Sequence, residues 1–146
     1  METRDEHFIL SNGQLRIGAE IDTLASVEQA ILFGGATDNI MDASAFTLGR
    51  VVLVGADGHD TLVGGSGDDI LVGNSGDDIL EGRAGNDLIG GGLGNDTYRF
   101  NLATPVGIDT LLEVLDQGSA EVVAAVEADK VAVRRASTQS CSNVSV

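Results

Sequence analysis

The sequence predicts an all-β fold, a parallel β-roll wound from nine-residue units, and three observations carry that prediction. The stretch "GGSGDDILVGNSGDDILEG" at residues 64–82 states nearly the same nine residues twice, and stepping along the chain by nine finds five abutting units. They are "GADGHDTLV" (55–63), "GGSGDDILV" (64–72), "GNSGDDILE" (73–81), "GRAGNDLIG" (82–90) and "GGLGNDTYR" (91–99). Positions one and four are always glycine and position six is always aspartate. Position eight is always large and apolar, as Leu62, Leu71, Leu80, Ile89 and Tyr98. A disordered Gly/Asp-rich linker would not keep an apolar residue at one phase through five units.

Each unit divides into a turn and a strand. Six residues that begin with glycine and carry a second glycine at position four turn sharply, because glycine reaches φ > 0 without steric cost. The remaining three residues make a short strand. A turn plus a strand travels half-way round a flattened coil, so successive turns fall on alternate edges and two units complete one coil. Turns two units apart then stack at the parallel-strand spacing of about 4.8 Å. Residues at position eight point inward from two facing sheets, and those at position seven, Ile70, Ile79 and Leu88 among them, face outward.

The flanks are read in chain order. Residues 1–26 form an N-terminal flanking segment, and the roll is expected over 27–115 with its firm repeats at 55–99. "AILF" (30–33) is a strand feeding a decayed unit, "GGATDNIMD" (34–42), where Thr37 replaces the fourth glycine and Asn39 the sixth aspartate. The register slips by three before the first good repeat, which makes 34–54 an irregular coil ending in the strand "VVLV" (51–54). After the repeats, Pro105 and Gly107 mark a turn and "DTLLEVL" (109–115) supplies an apolar strand to cap the last coil. Within the C-terminal segment 116–146, Ser119 starts an expected amphipathic helix over 119–135, although its valines equally permit strand. "ASTQSCSNVSV" reads as a disordered tail.

Composition narrows the function. With 146 residues and 42% hydrophobic content the chain has room for one modest core, and only five aromatic residues contribute to it. Acidic residues outnumber basic ones 23 to 8, a net charge of −15 that argues against nucleic acid or an anionic membrane and for a cationic partner. The single cysteine, Cys141, forms no internal disulfide. "METRDEHFIL" lacks the apolar run of a secretory signal, and no apolar stretch approaches a membrane span. There is no H-E-x-x-H, G-x-S-x-G or Walker loop, and the only histidines are His7 and His59, so no enzyme is expected.

The stacking puts Asp60, Asp78 and Asp96 in a column on one edge and Asp69 and Asp87 in a column on the other. Bare carboxylates about 5 Å apart repel by roughly 3 kcal/mol at an effective dielectric near 20. Ca²⁺ suits such a column best. It takes six to eight oxygen ligands in flexible geometry, and backbone carbonyls of the turns around Gly55, Gly58, Gly64, Gly67, Gly73, Gly76, Gly82, Gly85, Gly91 and Gly94 can complete the shell. Three ions follow, between Asp60 and Asp78, Asp69 and Asp87, and Asp78 and Asp96. Asp57 and Asn39 are lower-grade ligand candidates, and Asp68 and Asp77 at position five read as solvated turn residues. The core is too thin to offset the entropy of ordering a glycine-rich chain, so calcium binding and folding are expected to be coupled.

The units resemble the GGxGxDxUx nonapeptide of the RTX (repeats-in-toxin, hemolysin-type) calcium-binding proteins, firmly over 55–99, and units 64–72 and 91–99 fit it at every specified position. The resemblance implies ions held between stacked turns of a β-roll, with the five position-six aspartates as ligands. It further implies a secreted bacterial protein that leaves the cell by type I secretion machinery and folds on Ca²⁺ outside. The alternatives are a structural or adhesive extracellular repeat protein, or the accessory repeat region of a secreted hydrolase or toxin. The protein or surface that it serves is not specified by these residues.

Overall fold

The computed structural model describes residues 7–101, 107–112 and 121–125, and every element among them is a strand. Two sheets share the strands alternately. The first holds β4 (Gln29–Phe33), β6 (Arg50–Asp57), β8 (Ile70–Ser75), β10 (Leu88–Leu93) and β12 (Thr110–Leu111), all parallel. The second holds β5 (Ile40–Ala45), β7 (Thr61–Val63), β9 (Ile79–Glu81), β11 (Thr97–Asn101) and β13 (Glu121–Ala125), also parallel to one another. The chain therefore crosses from one sheet to the other at every turn, as a parallel β-roll does. The turns that make the crossings contain the recurring spacing of glycine and aspartate, and they form the two edges of the roll.

Position eight builds the core. Met41, Leu62, Leu80 and Tyr98 are mutual partners across the second sheet, and Leu53, Leu71, Ile89 and Leu111 stack across the first. All eight are buried. Strand alternation turns their neighbours outward, so Ile70, Ile79 and Leu88 are only half-buried. The hydroxyl of Tyr98 also accepts the Gly91 N–H at 2.8 Å, which satisfies a buried donor within the same unit.

Like turns lie two units apart through the repeats, a separation of 18 residues. The first coil is longer: Asn39 and Asp60 are 21 residues apart, as the three-residue slip predicts. Pairing stays regular on both sides of this coil, with Ile31 opposite Val52 and Ile40 opposite Thr61. The extra residues lie between β5 and β6, where Phe46 N–H bonds the Ala43 carbonyl and the Phe46 ring is fully buried in the core. An aromatic side chain thus fills the space that the slip opens.

Two expectations for the flanks are corrected. Residues 7–23 are part of the sheet: β1 (His7–Ser11) pairs parallel with β5, and β2 (Gln14–Ile17) and β3 (Glu20–Thr23) follow as an antiparallel meander. Phe8 stands opposite Met41 and, with Leu10, closes the core at this end, the task of a terminal cap. Residues 121–125, inside the helix expected over 119–135, form β13, in parallel register with β11 from Thr97 opposite Glu121 onward. The adjacent Val122 and Val123 favour a strand, and an open sheet edge one coil away supplies the backbone partners. The rest of 119–135, the capping residues 113–115 and the tail with Cys141 lie outside the described residues. No helix among the described residues is long and apolar enough to cross a membrane.

Leu80 sits between Leu62 and Tyr98 with no exposed surface. Truncation to alanine should cost about 2–5 kcal/mol in denaturant unfolding, whereas Ile79→Ala, half-exposed on the outer face, should cost less than about 1.5 kcal/mol.

Candidate metal centre

Position six is where the two edges acquire their chemistry. Asn39, Asp60, Asp78 and Asp96 immediately precede β5, β7, β9 and β11, so pairing of those strands stacks them on one edge. Asp69 and Asp87 precede β8 and β10 and stack on the other. One rule links each residue to the next: the Oδ1 of an aspartate accepts the backbone N–H of the position-six residue one coil upstream. The bonds run from Asn39 to Asp60 at 2.8 Å, Asp60 to Asp78 at 2.8 Å and Asp78 to Asp96 at 3.0 Å. On the opposite edge Val51 donates to Asp69 at 2.7 Å and Asp69 to Asp87 at 2.8 Å. All three aspartate pairs expected from the spacing are therefore brought together.

These carboxylates are buried, with 0–1% exposure for the five repeat aspartates. The Oδ2 atoms of Asp60, Asp78 and Asp87 lie out of solvent and accept no hydrogen bond, whereas Asp69 Oδ2 accepts the Gly65 N–H at 2.7 Å. Burial penalises the charged form and raises Asp60 and Asp69 above the usual carboxylate range, against the lowering effect of their backbone N–H donors. Asp78 is pushed up to about 6, first by burial and then by the charges of Asp60 and Asp96. Asp87 reaches about 7 by burial, with Asp109 and Asp69 adding to it.

The glycines leave the room that these carboxylates occupy. A Cβ on Gly73 would collide with Asp78 Oδ2 of the same unit, and Gly55, Gly82 and Gly91 stand in the same relation to Asp60, Asp87 and Asp96. The first glycine is thus required by the close approach of its own aspartate, and the left-handed backbone expected there occurs instead at positions two and four. Position four is doubly constrained: Gly76 has φ 131°, and a Cβ on it would meet the Gly58 carbonyl one coil upstream. Position two holds Ala56, Asn74 and Arg83 at positive φ as well as Gly92, so glycine is not obligatory there despite the left-handed backbone.

Position five forms a second ladder, exposed and of opposite sense. His59 N–H bonds Asp38 Oδ1 at 2.8 Å, Asp77 N–H bonds His59 Nδ1 at 2.9 Å and Asn95 N–H bonds Asp77 Oδ1 at 2.8 Å. Asp68 accepts from Asn86 in the same way on the other edge. Asp68 and Asp77 are exposed, in keeping with solvated turn residues, yet they also clasp neighbouring turns, and the Asn95 N–H holds Asp77 below the usual carboxylate range. Asp57 stands exposed at the end of β6 and joins neither column. Asn39 is buried in the first column, with its Oδ1 accepting the Gly35 N–H at 2.7 Å.

The structure adds one residue that the sequence reading missed. Asp109 is buried directly before β12, accepts the Asp87 N–H at 3.0 Å and is raised by desolvation. A Cβ on Gly107 would meet the Gly85 carbonyl, as at position four of a regular unit. The signal was present in "GIDTL" (107–111), which repeats "GHDTL" (58–62) at four of five positions. Its partner is 22 residues away instead of 18, so a nine-residue frame steps past it.

The donor set fits a hard cation. The unpartnered carboxylate oxygens of Asp60, Asp78 and Asp87 lie among closely stacked turn carbonyls, an all-oxygen donor set, although no group of three or more His, Cys, Asp or Glu side chains converges on one point among the described residues. No curated protein matches the chain. A family model for the RTX calcium-binding nonapeptide repeat matches in four copies over 47–71 and 63–98. The stretch from 47 to 98, just over a third of the chain, is a run of RTX calcium-binding nonapeptide repeats.

Proposed function

We propose that this chain is a calcium-binding β-roll module of a secreted protein, without catalytic activity of its own, that winds up when it meets Ca²⁺ outside the cell. The observation that carries this reading is the two columns of buried carboxylates, in which Asp60 and Asp78 on one edge and Asp87 on the other each keep one oxygen without a hydrogen bond. A buried charge in that state is costly, and a divalent cation between successive turns offsets both the desolvation and the mutual repulsion. Calcium supplies positive charge and an accommodating oxygen shell, and the protein supplies the oxygens. Asp60 with Asp78, Asp78 with Asp96, and Asp69 with Asp87 would hold three ions, and Asp87 with Asp109 a fourth. Asn39 brings a neutral oxygen already engaged by Gly35, so the site between Asn39 and Asp60 is the weakest, and Asp57 has no part.

Secretion rests on the repeat type and on a concentration argument. Extracellular calcium modules bind at about 10⁻⁴–10⁻³ M, so such a roll stays unwound in a low-calcium cytoplasm and folds after export, which suits type I machinery that passes unfolded chains. The reading without a catalytic role is supported by the lack of a catalytic motif in the sequence and by His59, whose Nδ1 accepts the Asp77 N–H.

In a calcium titration followed by far-UV circular dichroism, β signal should rise cooperatively near millimolar Ca²⁺ and stay flat with Mg²⁺; a spectrum fully formed in chelator would overturn the reading. Asp78 belongs to two pairs and Asp96 to one, so Asp78→Asn should raise the calcium midpoint more than Asp96→Asn. The pH dependence follows from the raised pKa values. A proton on Asp78 or Asp87 stabilises the calcium-free roll, an effect fully present below about pH 4 and lost as pH rises through 6 to 7. Calcium must displace those protons. Its midpoint should therefore move to higher concentration on acidification from pH 8 to 6, while residual structure in chelator increases over the same range.

A further inference from the structure

The two outer faces of the roll differ in chemistry. The face of the second sheet carries Asp42, Glu81 and Arg99 among threonines and isoleucines. The face of the five-stranded sheet presents two apolar rows in register, Ile31, Val52, Ile70 and Leu88 in one, Phe33, Val54 and Val72 in the other, with Leu112 beyond Gly90. Ile31 and Phe33 are 56% and 65% exposed. Where Gly90 and Gly92 omit side chains, a groove of about 410 Å³ opens between Ile70, Leu88, Val72, Leu93 and Leu112, and its polar lining is Asn74 and Ser75 at one end.

A wholly parallel sheet rich in Val, Ile and Leu is almost always covered on both faces, and helices are the usual cover. Four strand spacings of about 4.8 Å plus the side-chain radii at each end give a face about 24 Å long along the roll and about 14 Å across, so two copies would bury only about 350 Å² each, well short of the roughly 800 Å² per partner of a stable interface. A second copy also brings a second net charge of −15. The rim has the same sign: Asp57 lies beside Ser75 in the ladder, Asp68 precedes β8 and Glu28 precedes β4, with Arg50 opposite Gln29 at the far corner. The length along the roll matches about 16 residues of helix.

We propose that the outer face of the five-stranded sheet docks a cationic amphipathic helix of a partner protein, its apolar stripe in the groove and its Lys/Arg flanks toward Asp57 and Asp68. This rests on the calcium reading only in that the face exists when the roll is wound.

The test uses the full chain in millimolar calcium and a fluorescein-labelled Leu/Lys peptide of about 16 residues with leucines at helical spacing. A sequence-shuffled peptide of equal charge is the control. Anisotropy should report micromolar binding of the amphipathic peptide and at least tenfold weaker binding of the shuffled one. Val72→Glu adds attraction for the cationic peptide while spoiling the apolar row, so it separates the two contributions: affinity should fall tenfold or more. Val72→Thr, close to isosteric, should weaken binding several-fold without threatening the fold, and Ile79→Glu on the other face should leave it unchanged. Equal binding by Val72→Glu or by the shuffled peptide overturns the proposal, as does no binding by a chain that circular dichroism shows to be wound. Wild-type dimers in sedimentation that Val72→Glu dissolves would assign the face to a second copy and overturn it too. A chain that stays unwound in calcium refutes the calcium reading, and with it the face.

Discussion

Everything in this roll depends on one divided carboxylate. At position six each aspartate spends Oδ1 on the backbone N–H of the coil upstream, and for Asp60, Asp78 and Asp87 the second oxygen is left buried and bare. The first oxygen fixes the stacking of turns. The second makes that stacking unfavourable for a charged chain until something positive arrives, because a buried unpaired charge costs several kcal/mol. Structure and ligand requirement therefore come from the same side chain, which is the physical basis for the proposed coupling of metal binding to folding.

The glycines and apolar residues are fitted around that carboxylate. A small residue at position one gives the aspartate its pocket, a glycine at position four lets the next turn settle on its carbonyl, and one aliphatic side chain per strand fills a core only two side chains thick. Such a core tolerates little variation. The three-residue slip between β5 and β6 is accommodated by burying Phe46, and the open end of the core by Phe8 and Leu10. The buried aromatics, Phe8, Phe46, Tyr98 and Phe100, lie at the two ends of the repeats or in the slip between β5 and β6.

The repeat itself was fully legible from sequence because a strict period records strand, turn and edge at once: the inward row and the pairing of the five aspartates follow from counting by nine, and the strands at 30–33 and 51–54 from the apolar runs on either side of the slip. What counting could not reach lies where the period breaks. Asp109 escaped because four extra residues between Asp87 and Asp109 shift it out of the frame, although the local pattern around it is intact. β1–β3 escaped because an antiparallel meander with charged outer residues has no period in common with the roll. The segment 121–125 has valines compatible with two kinds of structure, and the decision between them came from an exposed sheet edge that only the wound coil creates. The role of the first glycine was invisible for a different reason, since it concerns space taken by a side chain five residues later and not the local backbone.

The alternation of strands between two unlike faces also restricts how such an array can lengthen or shorten in evolution or in the laboratory. Insertion or loss of a single nine-residue unit would keep every turn motif intact, yet it would send each following strand to the opposite sheet. With a unit inserted before Gly73, Glu81 and Arg99 would then interrupt the apolar row that contains Val54 and Val72, and Asp87 would change columns. Only a full coil of two units leaves both edges and both faces as they were. Duplication in pairs is thus the heritable step for this architecture, and arrays built from it should differ in length by 18 residues.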